Sequence, residues 1–146
     1  MRFVLDILRT KGNIVWSIGP DNTVFEALQM MAAKNVGALL VMVGEKPVGL
    51  FSERDYARKV ILEGKSSKET PVCEIMSAPA VTANLADSIG ECMRSMTDHR
   101  VRYLPVVDHE ALIGVVSIGD LVNWVIRRQE EEIHHLHGYI SGSYPA

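Results

Sequence analysis

The sequence predicts an α/β (α+β) fold in which one β-α-β-β-α unit occurs twice. Ser52-Glu-Arg-Asp55 recurs 65 residues later as Ser117-Ile-Gly-Asp120, and at the same offset residues 14–62 and 79–127 share eleven identities in 49 aligned positions. Unrelated segments of this composition would share about three. In each copy the apolar spacing changes from helical to strand-like and back. We therefore expect two tandem repeats packed with pseudo-two-fold symmetry, followed by a C-terminal helical extension.

The predicted elements follow the same order in both copies. Thr23 and Ser88 precede apolar residues at helical spacing, which is typical of a helix start. Two short β-branched runs separated by a polar turn follow each helix and indicate a strand pair. Each unit closes with a helix after Ser52 or Ser117. The predicted domains are residues 1–64 for the first repeat with an N-terminal lead-in, 65–71 for a linker, 72–127 for the second repeat and 128–146 for a helical extension and tail.

Composition limits the class of protein. Hydrophobic residues make up 47% and charged residues 23%, which is typical of a folded globular chain. No apolar run approaches the roughly 18 residues of a membrane span, so we expect a cytoplasmic protein with no membrane partner. A net charge of −3 gives no electrostatic basis for binding nucleic acid. Cys73 and Cys92 lie in no C-x-x-C motif, so buried thiols are expected rather than a redox or zinc role.

The repeated motif carries a family resemblance. Gly49-Leu-Phe-Ser-Glu-Arg-Asp55 and Gly114-Val-Val-Ser-Ile-Gly-Asp120, together with Arg100-Val-Arg-Tyr-Leu-Pro-Val-Val-Asp108, resemble the cystathionine-β-synthase (CBS) domain family over nearly the whole chain. The resemblance implies a free-standing regulatory module that binds AMP, ADP, ATP, NAD or S-adenosylmethionine in clefts between the repeats. It also implies a homodimer of flat, disc-like shape and an unidentified downstream protein partner.

The chemistry of the motif residues fits a ribose. A carboxylate can accept hydrogen bonds from both hydroxyls of a ribose diol, and Asp55 and Asp120 stand at helix starts where this is feasible. Ser52 and Ser117 offer hydroxyls beside free helix N–H groups, which favour an anion. Ser-x-x-Asp is also an ordinary helix-capping pattern, so capping and ribose binding both stay open for these residues.

Three arginines are candidates for phosphate binding: Arg54, Arg100 and Arg102. Each is equally interpretable as a solvated surface side chain. The residues that the family resemblance places around a base are Ser17, Ala38, Thr82, Val101, Tyr103, Pro105 and Ile118. Because Arg102 and Tyr103 replace Gly37 and Ala38 of the first copy, we expect a ligand held by Asp120 to bind more tightly than one held by Asp55.

No catalytic or metal motif is visible. The chain lacks a Ser-His-Asp, paired-carboxylate or Walker pattern, so no enzyme is expected; a nucleotide hydrolase is the enzymatic alternative, and the absence of a metal-carboxylate cluster argues against it. His134, His135 and His137 do not share one helix face, and a solvated tail is favoured over a metal site. The main alternative function is a structural dimerisation module without strong ligand binding. Homodimerisation is expected through apolar helix faces that contain Ala27, Met31, Met93, Met96, Val122 and Val125.

Overall fold

The structure, a computed structural model, describes residues 3–12 and 14–140 of the 146-residue chain, with side chains to residue 137. The predicted tail beyond residue 140 lies outside the described residues. The first half contains helix α1 (Val4–Lys11), strand β1 (Ser17–Ile18), helix α2 (Val24–Lys34), strands β2 (Ala38–Val43) and β3 (Lys46–Ser52), and helix α3 (Glu53–Tyr56), which continues as a π-helical turn (Ala57–Ile61).

The second half repeats this order. It contains a 3₁₀ turn (Val72–Glu74), strand β4 (Ala83–Asn84), helix α4 (Ile89–His99), strands β5 (Tyr103–Asp108) and β6 (Ala111–Ser117), and helix α5 (Ile118–Ile140). Each half builds a three-stranded mixed sheet, in the orders β1-β2-β3 and β4-β5-β6, with the first pair parallel and the second antiparallel. The predicted α/β fold with two repeats and a long C-terminal helix is confirmed.

The strand registers of the two sheets match at the repeat offset. Ala38 pairs with Ser52 in the first hairpin, and Tyr103 pairs with Ser117 in the second. Each hairpin also has an irregularity at the same place, after Val41 and after Val106. The two Ser-x-x-Asp motifs therefore leave their sheets at equivalent positions.

Local chemistry sets the helix ends. The hydroxyls of Thr23 and Ser88 each accept a hydrogen bond from the backbone of the third helical residue, at 3.1 Å, as the sequence predicts. At the other ends, Asn35 and Arg100 both have a φ of 55°, a left-handed conformation that closes the helix. Asparagine tolerates this conformation well, whereas arginine adopts it at some cost.

The two repeats exchange their leading segments. Val4, Ile7 and Leu8 of α1 are buried in the core of the second repeat. Conversely, Val72 and Ile75, which lead the second repeat, are buried in the core of the first. The domain boundaries given by the sequence remain a prediction. Helix α1, which those boundaries place in the first repeat (residues 1–64), packs against the second repeat. Ser77, which follows the 3₁₀ turn, pairs with Leu50 of the first repeat.

Two expectations about burial are corrected. Cys92 is buried but Cys73 is exposed, because Val72 and Ile75 take the inward positions of the 3₁₀ turn. Ala27, Met31 and Met96, three of the expected dimer-contacting residues, are buried within the chain's own cores because α2 and α4 cover the sheets.

Helix α5 carries a large share of the apolar surface that the fold leaves exposed. Its exposed large apolar residues are Ile118, Val122, Ile126, Ile133 and Leu136. Among the described residues, no helix combines the length and the apolar character that crossing a membrane requires.

Candidate functional site

Ser52 and Asp55 form a reciprocal cap at the start of α3. The Ser52 backbone N–H and hydroxyl donate to Asp55 Oδ2, each at 3.0 Å, and the Asp55 backbone N–H donates to Ser52 Oγ at 3.2 Å. Such a cap satisfies donors that a helix start leaves without intrahelical partners. The capping interpretation of the first motif is therefore realised in the structure.

The second carboxylate oxygen of Asp55 is also occupied. Ser77 Oγ donates to Oδ1 at 3.0 Å, and Lys59 Nζ lies 3.1 Å from the same oxygen. The Asp55 side chain is only 8% exposed. Lys59 Nζ additionally donates to the Ile75 carbonyl at 3.2 Å. Asp55 thus joins α3 to the segment that leads into the second repeat, and a ribose would have to share or displace these bonds.

Asp120 caps α5 in the same way but is more open. The Ser117 backbone N–H donates to Asp120 Oδ2 at 2.8 Å, and the Asp120 backbone N–H donates to Ser117 Oγ at 3.1 Å. Lys11 Nζ, at the end of α1, lies 2.6 Å from the same Oδ2. The Asp120 side chain is 24% exposed, and its Oδ1 makes no hydrogen bond within the described part of the chain.

A cleft of about 1160 Å³ lies between the repeats, beside Asp55. Three stretches line it: the start of α3 with the following turn, the segment Ser77–Val81, and the stretch from His99 to Tyr103 with Pro105. The cleft is larger than the roughly 300–1000 Å³ of typical small-molecule sites. Both repeats therefore contribute to one cavity of sufficient size for a nucleotide.

Cationic side chains dominate the charge of this cleft. Arg54, Arg58 and Lys59 line it from the first repeat, and Arg100 and Arg102 line it from the second. Arg54 Nη1 donates to the Arg100 carbonyl oxygen at 3.4 Å, which connects the two sides. Glu53 and Asp55 are the carboxylates in the lining. The arrangement is suited chemically to an anion.

The structure unites most of the candidate residues but groups them differently from the sequence-based expectation. Arg102 and Tyr103 line the cleft of Asp55, and Asp120 is not among the residues that line this cleft. The expected pairing of Arg102 and Tyr103 with Asp120 is therefore corrected. The reason is the exchange of leading segments, which sets α3 of the first repeat against the loop before β5 of the second.

The remaining base candidates are spread more widely. Val101 and Pro105 line the Asp55 cleft, and Ala38 lies beside it, paired with Ser52. Ile118 donates its backbone N–H to the Arg102 carbonyl at 2.8 Å. Ser17 instead lines a separate hollow of about 490 Å³, which it shares with Asn22, Glu26 and Met30.

Thr82 and Ser17 are not fully equivalent in the structure. Thr82 is exposed and immediately precedes β4, whereas Ser17 begins β1. Ser17 therefore belongs to its strand, whereas Thr82 lies just outside the equivalent one.

Gly37 explains how Tyr103 fits into the cleft. A Cβ on Gly37 would lie 3.0 Å from the Tyr103 hydroxyl oxygen and 3.4 Å from Glu53 Oε1. The absence of a side chain at position 37 therefore leaves room for the tyrosine hydroxyl.

Four residues that line the cleft or contact the two motif aspartates are not among the candidates that the sequence indicates. Arg58 and Lys59 are each four residues after a recognised candidate, Arg54 and Asp55, so helical spacing could have identified them. Ser77 and Lys11 contact the two aspartates across large sequence separations, and no local pattern marks them. Within the described residues, no group of three or more His, Cys, Asp or Glu side chains is placed to hold a metal ion.

Comparison with known proteins identifies the family. The CBS domain model matches residues 5–62 and 72–127, which is most of the chain. The chain belongs to the CBS domain family. Both clusters of motif residues described above lie within the matched CBS repeats.

The relatives cover the tandem CBS unit as a whole. The mitochondrial CBS domain-containing protein CBSX3 of Arabidopsis thaliana is 38% identical over 97% of this chain and 73% of its own length. A CBS-domain structure from Burkholderia ambifaria, provisionally described as a signal-transduction protein, is 45% identical, with a TM-score of 0.83 over 87% of this chain and 96% of that one. The expected cytoplasmic location of this chain stays a prediction.

One more distant structure contains a nucleotide. The CBS domain protein of Pyrobaculum aerophilum complexed with AMP is 24% identical, with a TM-score of 0.72 over 81% of this chain and 88% of that one. At this identity the likeness shows a shared fold.

Proposed function

We propose that this CBS protein is a non-catalytic regulatory module that binds an adenosine-containing nucleotide in the cleft beside Asp55. The observation that carries the proposal is the composition of this cleft, which brings the Ser52–Asp55 motif of one repeat against Arg100, Arg102 and Tyr103 of the other. These groups supply hydroxyl and carboxylate acceptors for a ribose, cations for phosphate and a ring for a base.

The architecture also suits a regulatory role. Because both repeats line the cleft, a bound ligand would touch α3, the Ser77–Val81 segment and the loop before β5 together. Occupancy would alter how the two repeats fit against each other, and a partner that senses this fit would in turn change ligand affinity. The AMP complex of the Pyrobaculum aerophilum protein indicates that the fold is compatible with such a ligand.

Thermal unfolding with AMP, ADP, ATP, NAD and S-adenosylmethionine tests the proposal. A ligand at 100 times its Kd should stabilise the chain by about 2.7 kcal/mol. Tyr103→Phe keeps the ring and should retain the stabilisation, whereas Tyr103→Leu removes the ring and should lose most of it. Equal responses of these two variants would contradict a base-stacking role for Tyr103.

A structural dimerisation module is the second candidate. It is favoured by the hydrogen bonds of Asp55, whose two oxygens are already bonded to Ser52, Ser77 and Lys59 within the chain. If no nucleotide in the panel changes the unfolding temperature while the chain is a stable dimer in light scattering, this candidate replaces nucleotide sensing.

A further inference from the structure

Four arginines line the Asp55 cleft, and in the described part of the chain none of them has a carboxylate partner. Arg54 and Arg58 come from the first repeat, and Arg100 and Arg102 come from the second. Within the described part of the chain, none of the four forms a salt bridge, and the one carboxylate that pairs with a cation here, Asp55, is bound to Lys59. The cluster is therefore an unneutralised set of positive charges.

The local charge contrasts with that of the chain. Five cationic side chains line the cleft against the two carboxylates of Glu53 and Asp55, whereas the whole chain has a net charge of −3. The four arginine side chains are exposed, so water screens their mutual repulsion, but the excess of positive charge at the cleft still favours an anion. A multiply charged anion would balance this excess.

The backbone at Arg100 supports the same conclusion. Arg100 has a φ of 55° at the end of α4, where the first repeat has Asn35 in the same conformation. Helix capping alone favours glycine or asparagine at such a position. Capping does not explain an arginine there, and Arg100 is one of the residues that line the cleft.

The number of arginines indicates how much anion the cleft accepts. One phosphate monoester carries a charge of about −1.5 to −2 and is matched by one or two guanidinium groups in bidentate contact. Four guanidinium groups are more than the one or two that match the charge of one phosphate. A volume of about 1160 Å³ leaves space for a nucleoside together with a phosphate chain.

We propose that the Asp55 cleft selects ligands with two or more consecutive phosphates over monophosphates. The nucleoside part of such a ligand rests on the proposed function, whereas the polyphosphate part rests on the arginine cluster alone. The chemical class is an adenosine di- or triphosphate, with the phosphate chain between the arginines of the two repeats.

Titration calorimetry at constant ionic strength, without divalent cations, separates these parts. The probes are adenosine, AMP, ADP, ATP and inorganic tripolyphosphate. We expect affinity to rise about tenfold from AMP to ADP and to rise again to ATP, and we expect tripolyphosphate to compete with ATP. Equal affinity for AMP and ATP would overturn polyphosphate selection and leave the proposed function intact.

Other outcomes are equally distinct. If tripolyphosphate binds as well as ATP and neither adenosine nor AMP binds, nucleotide sensing fails and polyphosphate binding stands. If none of the probes binds, the arginines are only solvated and polyphosphate selection is wrong, and the proposed function then fails as well if NAD and S-adenosylmethionine do not stabilise the chain.

Charge-matched variants locate the site. Arg58→Gln and Arg102→Gln should each reduce the preference for ATP over AMP by about tenfold, because each removes one guanidinium from the cleft. Arg94→Gln removes the same charge from the exposed face of α4, outside the cleft, and should leave the preference unchanged. A similar effect of all three changes would show a non-specific effect of net charge and contradict the proposal. The unfolding temperature without ligand reports whether each variant is folded.

Discussion

Lys11 Nζ lies 2.6 Å from Asp120 Oδ2 and 2.8 Å from the Val115 carbonyl oxygen. Lys11, from the first helix, therefore forms an ion pair with the aspartate of the second Ser-x-x-Asp motif. The equivalent aspartate of the first motif, Asp55, instead accepts a hydrogen bond from Ser77, which follows the 3₁₀ turn at the start of the second repeat. Each aspartate is thus contacted by the leading segment of the other repeat, with a cation in one case and a hydroxyl in the other.

Removal of the Lys11 cation should open the Asp120 carboxylate to ligands. In Lys11→Met we expect nucleotide binding at Asp120 to strengthen, because a ribose no longer competes with the ammonium group. The unfolding free energy should fall by at most about 1 kcal/mol, since the ion pair is partly exposed. Titration calorimetry measures the binding, and Lys65→Met in the exposed linker is the charge-matched control. Unchanged or weaker binding in Lys11→Met would contradict this prediction.

The two motif aspartates should differ in their contribution to stability. Asp55→Ala removes a nearly buried acceptor of bonds from Ser52, Ser77 and Lys59, and we expect a loss of about 3 kcal/mol. Asp120→Ala removes a more exposed cap, and we expect a loss of about 1 kcal/mol. Urea unfolding of both variants measures the difference. Equal losses would show that burial does not distinguish the two motifs.

Gly49 should be intolerant of a side chain. A Cβ at this position would lie 2.8 Å from Met76 Sδ and 2.9 Å from the Ser77 carbonyl oxygen, so Gly49→Ala must push the segment at Ser77 away from β3. We expect a loss of about 1–3 kcal/mol in unfolding free energy. Gly90→Ala is the control, because its Cβ meets nothing closer than 3.9 Å on helix α4 and should stabilise by about 0.5–1 kcal/mol. A neutral Gly49→Ala would show that this contact yields easily.

Cys92 should make stability fall in alkaline solution. Burial, with smaller contributions from Asp87 and Glu91, raises the pKa of the Cys92 thiol from 9.0 to about 11. The unfolded chain therefore releases this proton at lower pH than the folded chain, and folding free energy is lost as pH rises from about 9 to 11, by at most about 2 kcal/mol. Urea unfolding across this pH range measures the effect.

The cysteine variants provide the control for this pH dependence. Cys92→Ala should remove the alkaline component, whereas Cys73→Ala should keep it, since Cys73 is exposed. In thiol labelling of the native protein near pH 8, we expect Cys73 to react first. Rapid labelling of Cys92 would show that its burial is not maintained in solution.

The chain should be a homodimer through α5 rather than through α2 and α4. Along α5 the residues at positions 122, 126, 129, 133 and 136 are alternately four and three residues apart, which is the spacing of a coiled-coil seam. Four of them are apolar, namely Val122, Ile126, Ile133 and Leu136, and the fifth is Gln129. Because the apolar members of this seam are exposed within one chain, a second copy would cover them. Light scattering at micromolar concentration should give twice 16.2 kDa.

A seam variant tests the dimer prediction. Ile133→Glu with Leu136→Glu should yield monomers with an unchanged fold, because these side chains lie on the exposed part of α5. Gln129→Glu adds one charge at a polar seam position and should weaken the dimer less. A monomer mass for the unmodified chain would contradict the prediction.

Features that depend on residues close together along the chain were predictable from the sequence. The caps at Thr23, Ser88, Ser52 and Ser117 follow from side chains that bond to backbone groups three residues away, and the structure shows all four. Strand pairing within each hairpin likewise follows from short apolar runs around a turn. The duplication of the motif then implies two equivalent units.

Tertiary packing alone decided which parts of the two units meet. The apolar pattern of α1 is compatible with either repeat, and only the folded core shows that Val4 and Leu8 belong to the second. That exchange brings Lys11 to Asp120, Ser77 to Asp55, and the arginines before β5 to the first motif. Such contacts join residues tens of positions apart, where side-chain spacing carries no signal. The sequence therefore determined the repeats and their caps, whereas the pairing of segments across them, and with it the charge of each candidate site, was decided by the packing of the whole chain.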